Sequence, residues 1–375
     1  MKTYASVVGM LSALLLLSCS KSQVEPVNEG ENPVAADYAI LLQSASSLSQ
    51  VFLNEDADGL KTNPKESNFP GFANPDLSYR TDSKLSLFHK TGNCLGKVLI
   101  YDFSTDTNDE FELFNDLGSC DITVTAISHT DSRLFVSYVI EVVGKDKEYF
   151  VRTVNLASEN KVFVDLEMMK RPIGLVPTSN RLFILTFDED ITDQNGISVM
   201  EIVSGTLIHE MNLGFDASRI FKNQKGDIII SYPTLHTTLN PTTLEIAYTQ
   251  YGEGTEPKFI DSETVSFDLQ GKMYYQLKTL EGATETIPAV YDFDTNTAVL
   301  YYFENFLSES QLNVEFEVSS ATSVQYDDKN DLILIGYEKS GTQKRGGLMR
   351  ITTSPDLTFV DNIDLEGVPY AIFVE

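Results

Sequence analysis

The sequence is poor in the residues that make chemistry recognisable. It has four histidines, His89, His129, His209 and His236, and no two stand at a metal-ligand spacing. No Gly-x-Ser-x-Gly nucleophile elbow occurs. Gly252-Glu253-Gly254 lacks the third glycine of a dinucleotide loop, and Gly341-Thr342-Gln343-Lys344-Arg345-Gly346 runs on into Gly-Leu rather than the Lys-Ser/Thr of a phosphate loop. No catalytic residue, cofactor or metal can be nominated on this basis. Basic residues are scarce too: 27 Lys+Arg stand against 55 Asp+Glu, a formal charge of −28. Such a surface repels nucleic acid and anionic lipid, and it keeps an exported protein soluble. With so many carboxylates, close acidic pairs arise by chance and identify no general acid or base. Helical periodicity is also missing. Gly and Pro interrupt nearly every window that could hold a 3.6-residue period, so no helix of more than a turn or two is expected.

What the chain does contain is a repeating β pattern. The stretch from Met168 to Leu213 holds four short apolar runs, Pro172–Pro177, Arg181–Phe187, Ile197–Val203 and Leu207–Leu213. Thr178-Ser179-Asn180 and Ser204-Gly205 suit tight hairpins between them. This is one four-stranded antiparallel meander. Its second run, Leu182-Phe183-Ile184-Leu185, is apolar on both faces, so each face needs a cover, and the simplest cover is a copy of the same unit. Copies of that run begin at Tyr38, Lys84, Arg133, Asp227, Lys272 and Asp331. With Arg181 that makes seven, roughly 45–60 residues apart, near the spacing of propeller blades. Tyr101-Asp102-Phe103 and Tyr291-Asp292-Phe293 are the closest internal match, each followed by a Thr/Asp/Asn turn. The last residues, Pro369-Tyr370-Ala371-Ile372-Phe373-Val374, resemble an innermost strand without a second strand after it. They are expected to pair with Tyr38–Leu42 and close the ring as one strand plus three, which removes an open sheet edge. The fold class expected is therefore all-β: a seven-bladed β-propeller over residues 37–375, as one domain.

The N-terminus reads as an export signal. Lys2 supplies the positive start and Val7–Leu17 a short apolar run, below the ~20 residues that span a bilayer. Leu16-Leu17-Ser18-Cys19 resembles a bacterial lipobox. That resemblance implies removal of residues 1–18, diacylation of Cys19 and anchoring of the chain to a membrane; the alternative is an ordinary signal peptide with a chance cysteine. Residues 19–36 are polar and aperiodic and read as a flexible tether, with a mean reach of about 20–24 Å. Its Lys21 and Glu25 form no acidic pair after the cysteine, so a periplasmic-facing and a cell-surface-facing anchor in the outer membrane both stay open.

In a four-stranded blade the A–B and C–D hairpins share one rim, and the B–C and D–A connections share the other. Cys94 falls in a B–C loop and Cys120 in the following D–A connection. Both sit on the same rim, and an exported compartment permits a disulfide; the alternative is two free thiols. Asn54-Glu55-Asp56-Ala57-Asp58-Gly59 offers alternating oxygen ligands but lacks the closing Glu of a Ca²⁺ loop, and it falls where a C–D hairpin belongs. Asp188–Gly196 is a second acidic loop with less ordered spacing.

The repeats, the Pro-x-Gly-Leu and Pro-Tyr-Ala innermost strands and the Arg-Leu-Phe second strands resemble the YVTN-type seven-bladed propellers of bacterial envelopes. Combined with the lipobox, they resemble propeller lipoproteins of Bacteroidota, some of which work beside TonB-dependent receptors in iron or siderophore uptake. The chain has Ser-Tyr, Leu-Thr or Gly-Tyr where that motif has Asn. The resemblance implies binding on the B–C/D–A rim, where Arg171, Tyr232, His236, Tyr251, Lys344 and Arg345 are candidate ligand-binding residues. The insert Phe303–Ser320 lies on the same rim. The function expected is an envelope-anchored binding lipoprotein that takes a small ligand or docks an outer-membrane partner protein. The alternatives are a scaffold that binds only protein, signalled by a flat rim with an exposed apolar patch, and a propeller lyase or hydrolase, signalled by clustered rim His, Arg and carboxylates.

Overall fold

The run Arg181–Asp188 (RLFILTFD) shows how the sequence builds the molecule. Successive side chains of a strand point to opposite faces. Leu182 and Ile184 pack with Phe135 and Val151 of the preceding repeat, whereas Phe183 and Leu185 pack with Ile228 and Ile230 of the following one. All four are buried, each contributing about 1.5–3 kcal/mol relative to an exposed side chain. A sheet apolar on both faces is thus stable only between two others.

The computed structural model describes residues 37–375 except 57–58, 93, 119–120, 159–160, 263–264, 280–283 and 354. These residues form seven antiparallel sheets, the blades of a propeller. The innermost strands, from blade 1 to blade 7, are Val368–Val374, Leu77–Arg80, Ile122–His129, Arg171–Thr178, Arg219–Lys222, Val265–Phe267 and Val318–Asp327. Each blade runs outward from this strand, here called a, through b and c to d. The meander read from Met168–Leu213 is blade 4, with strands Arg171–Thr178, Arg181–Asp188, Gln194–Glu201 and Thr206–Gly214. Blade 1 differs from the expected four strands: Phe72–Ala73 adds a short fifth, pairing with Ser47 and Leu48.

Closure follows the expected one-plus-three scheme. Val368–Val374 pairs antiparallel with Asp37–Gln43, Tyr38 opposite Val374 and Ile40 opposite Ile372. Side chains lock the joint on both sides. The Phe373 ring stacks on Phe103 of blade 2 at 3.6 Å, and the Tyr370 hydroxyl donates to Ser78 Oγ at 2.8 Å. Arg80 of blade 2 lies over the Phe373 ring at 4.1 Å and donates from Nη2 to Ile372 O at 2.6 Å and to Gln325 Oε1 of blade 7 at 2.8 Å. Burial lowers its guanidinium to about 10, against the pull of Asp82, so it stays charged at neutral pH.

The joint between blades 7 and 1 also holds a buried ionic group. Arg350 donates to both oxygens of Glu55 and both of Asp361, at 2.6–3.1 Å. Tyr38 donates to Asp327 Oδ2 at 2.6 Å beside it. Blade 3 repeats the device, with Arg152 held by Asp165 and by Asp116 of the preceding connection at 2.7–2.9 Å.

The a–b and c–d hairpins form the rim at which the described chain enters, at Asp37, and ends, at Glu375, whose N–H donates to Asp37 O. We call it the entry rim. The b–c loops and d–a connections form the far rim. Among the described residues, helix is confined to short turns: Phe259–Asp261, Phe303–Asn305 and Gln311–Glu315, all in far-rim connections.

Candidate functional site on the far rim

The six ligand-binding candidates lie at far-rim positions but do not converge. They fall into three groups, on blades 4, 5 and 7. Arg171, the first residue of its a strand, is bound by Glu189 Oε2 at 3.1 Å. Glu189 also accepts from Lys147 Nζ and the Tyr149 hydroxyl of blade 3, each at 2.8 Å. Burial alone would raise the Glu189 carboxyl, but the hydrogen bonds from Lys147, Tyr149 and Arg171 outweigh it and hold the group at about 2. Arg171 therefore pins two loops together, and its charge is already answered.

Blade 5 contributes packing rather than a pocket wall. His236 is buried, Nδ1 shares a 2.8 Å hydrogen bond with the Tyr251 hydroxyl, and the ring sits among Tyr251, Phe259, Tyr291 and Phe293 at 5.5–6.1 Å. Burial pushes the imidazole down to about 4 and keeps it neutral. Burial likewise raises the Tyr251 phenol. Tyr232 is half-buried against the blade 4–5 core. These three fix blade 5 to its neighbours and present no solvent-facing base or cation.

On blade 7, Lys344 pairs with Glu338 at 2.7 Å. Arg345 borders an open cavity of about 350 Å³, lined also by Glu317, Lys339, Asp364, Glu366 and loop residues 340–343. Lys339 and Asp364 pair across it at 2.8 Å. Charges of both signs suit a small zwitterionic or polar ligand. The insert Phe303–Ser320 supplies Glu317 to this cavity and sends Phe303, Leu307, Leu312 and Phe316 into the blade 6–7 core.

The acidic loops are occupied by the protein itself. In the second, Asp188 accepts from Ile191 N at 3.2 Å and from the Thr192 hydroxyl at 2.9 Å. In the first, Asp56 and Gly59 close a c–d hairpin, with Gly59 at φ +107°, a conformation that favours glycine; residues 57 and 58 lie outside the described set. No cluster of three His, Cys, Asp or Glu suited to a metal ion occurs among the described residues. A Ser86–His129 pair, 2.6 Å between Oγ and Nδ1, is buried in the core. Cys94 is disulfide-bonded. Its expected partner Cys120 and the lipobox cysteine Cys19 lie outside the described residues.

No family model matches the chain, and no curated protein matches it. Solved structures match the chain at low similarity. A protein of unknown function from Bacteroides caccae is 10% identical, with 78% of this chain and 99% of that one covered at a TM-score of 0.41. Apo AztD from Citrobacter koseri is 10% identical over 91% of this chain and 98% of its own, at 0.45. A prolyl endopeptidase is 10% identical over 88% of this chain but only 49% of its own length, at 0.46. The seven-bladed architecture rests on the sheet topology given above.

The sequence reading missed the most distinctive property of this rim, its exposed apolar side chains. Val143, Met169, Ile191, Phe215, Ile260 and Val314 all stand more than half exposed on far-rim loops. On entry-rim loops only Val162, Val203 and Leu269 do so among the described residues. The signal was legible in part: Ile191 and Phe215 interrupt polar loops, Asp-Ile-Thr-Asp and Gly-Phe-Asp, where turn chemistry asks for no apolar residue.

Proposed function

We propose that the chain is a non-catalytic binding lipoprotein of the bacterial envelope that docks an outer-membrane partner protein through its far rim. The observation that carries this reading is the gathering of exposed apolar side chains on that rim. Isolated exposed apolar residues are ordinary, but several of them on the loops of one rim suit an interaction surface. The described chain begins at Asp37 on the entry rim, the rim opposite these side chains. Lipidation at Cys19 supplies the membrane attachment, and a Cys94–Cys120 disulfide staples the far-rim loops of blade 2. A second reading, capture of a small polar ligand, is favoured by the blade 7 cavity beside Arg345.

The experiment compares the wild-type protein with two stably folded variants, Ile191→Ser/Phe215→Ser and Lys339→Ala/Arg345→Ala, in binding to candidate receptors and in a ligand screen. Loss of receptor binding in the first variant alone supports docking. Loss of ligand binding in the second alone supports capture. Unchanged binding in both overturns the far-rim assignment, and turnover of any screened compound overturns the non-catalytic one.

A further inference from the structure

We propose that the far-rim arc from blade 3 to the start of blade 7 docks a protein whose contact surface is apolar and bordered by Lys and Arg. This rests on the far rim being the working face. Six side chains carry it: Val143 is 100% exposed, Met169 89%, Ile191 85%, Val314 74%, Phe215 58% and Ile260 58%. They occupy six far-rim connections along that arc: b–c of blade 3, d–a from 3 to 4, b–c of blade 4, and the d–a connections from 4 to 5, 5 to 6 and 6 to 7, with the b–c loops of blades 5 and 6 lying between the last three.

The loops that present them are anchored. Met169 follows buried Met168, Ile260 follows buried Phe259, and Val314 stands between buried Leu312 and Phe316. Val143 and Ile191 sit on the two loops that Glu189 ties together through Lys147, Tyr149 and Arg171. Asp188 caps the Ile191 loop from below. An anchored loop that holds an apolar side chain in water has little further freedom to lose on binding, which is the energetic advantage of preorganisation.

Charge defines the partner. Exposed Asp190 and Asp193 bracket Ile191, Asp216 follows Phe215, and exposed Glu315 and Glu317 follow Val314, whereas Lys145, Lys170 and Lys258 stand near Val143, Met169 and Ile260. The border is thus acidic around Ile191, Phe215 and Val314, and there it is complementary to an apolar patch ringed by cations. An anionic bilayer would be repelled, and a second copy meeting this face by two-fold symmetry would set acid against acid.

The test places a photo-crosslinking side chain at Ile191 or Phe215 of the full-length chain in its own cells, with Val203 and Leu269 on the entry rim and Thr342 at the blade 7 cavity as comparison sites. The expected result is a protein adduct from Ile191 and Phe215, weak or absent from the other three. Its crosslinked peptide should carry apolar residues beside Lys or Arg. Val143→Ser with Val314→Ser should cut the yield about tenfold, as loss of apolar anchors does, and raised salt should lower it. An adduct to lipid, to a second copy, or to an acidic peptide overturns the partner chemistry but leaves the far rim as working face. An adduct from Thr342 alone overturns the arc and moves the site to the cavity. Equal adducts from both rims, or none, overturn both readings.

Discussion

Two kinds of buried polar residue define this molecule at the scale of single side chains. Arg152 and Arg350 sit in their c strands, Phe-Val-Arg-Thr and Leu-Met-Arg-Ile, each opposite an Asp of the d strand. Removing a guanidinium that two carboxylates share leaves uncompensated charge behind. The Glu55 side chain at Arg350 is only 9% exposed, whereas Asp116 at Arg152 is 44% exposed. Arg350→Met should therefore cost about 3–5 kcal/mol in urea unfolding, and Arg152→Met clearly less, because water can reach its acids. Equal losses would show that exposure of the partners does not set the cost. The histidines behave differently. Burial holds both His129 and His236 near 4, below the ordinary value of about 6.5. Each is neutral when folded but takes up a proton when unfolded, so its contribution is complete above pH 6.5 and lost as pH falls towards 4. The loss should approach about 1 kcal/mol per pH unit for each. Glu189 acts in a lower window, losing its contribution as pH falls from the usual carboxylate range towards 2. Urea midpoints from pH 7 to 4.5 should fall less steeply for His129→Asn/His236→Gln than for wild type; identical slopes would assign the loss to other groups. Little at this scale was legible beforehand. An Arg between apolar residues reads as an ordinary strand position until the neighbouring blade supplies its second acid.

Strands and hairpins were far more legible, because a period of two and a turn residue are local facts. The Tyr-Asp-Phe pair shows how faithfully local chemistry repeats. In blades 2 and 6 the Tyr and Phe rings meet edge-on at 4.7 and 4.8 Å. Asp102 accepts from Ser104 N and Asp292 from Asp294 N. Asp106 and Asn296, at the same place in the turn, both take φ near +54°, a conformation Asp and Asn tolerate better than most residues. The two-residue strand Phe72–Ala73 escaped the reading because it is shorter than any periodic signal. The closing strand tests the element scale directly. Deleting Pro369–Glu375 removes the stack on Phe103, the Arg80 and Tyr370 hydrogen bonds and one neighbour of Asp37–Gln43. The truncated protein should melt far below wild type or fail to fold; melting within a few degrees would contradict its role as the closing element.

At the scale of the whole molecule, seven repeats and the ring closure could be read from the chain, and the far rim was the expected binding face, whereas its exposed apolar side chains could not be read. Exposure of Val143 or Val314 depends on which loop neighbours fold inward, and that is settled by tertiary packing. Two proposals belong here. Cys19→Ala should leave the protein unlipidated, and an intact mass lacking lipid in the wild type would refute the anchor. A non-reducing peptide map should join Cys94 to Cys120; recovery of Cys120 as a free thiol would refute that pairing.

The pairing of Asp37–Gln43 with Val368–Val374 also sets the order of assembly. The first described strand finds its inner partner only when the last one is available, so one contact spanning the whole ring must form late. Loop closure of that length is entropically slow. Until then the b strand of blade 1 keeps a bare hydrogen-bonding edge and its neighbour keeps uncovered apolar rings. A chain still being synthesised is therefore held open by its own topology. One cut short anywhere before Val368 stays open permanently, exposed to proteases that the closed ring excludes.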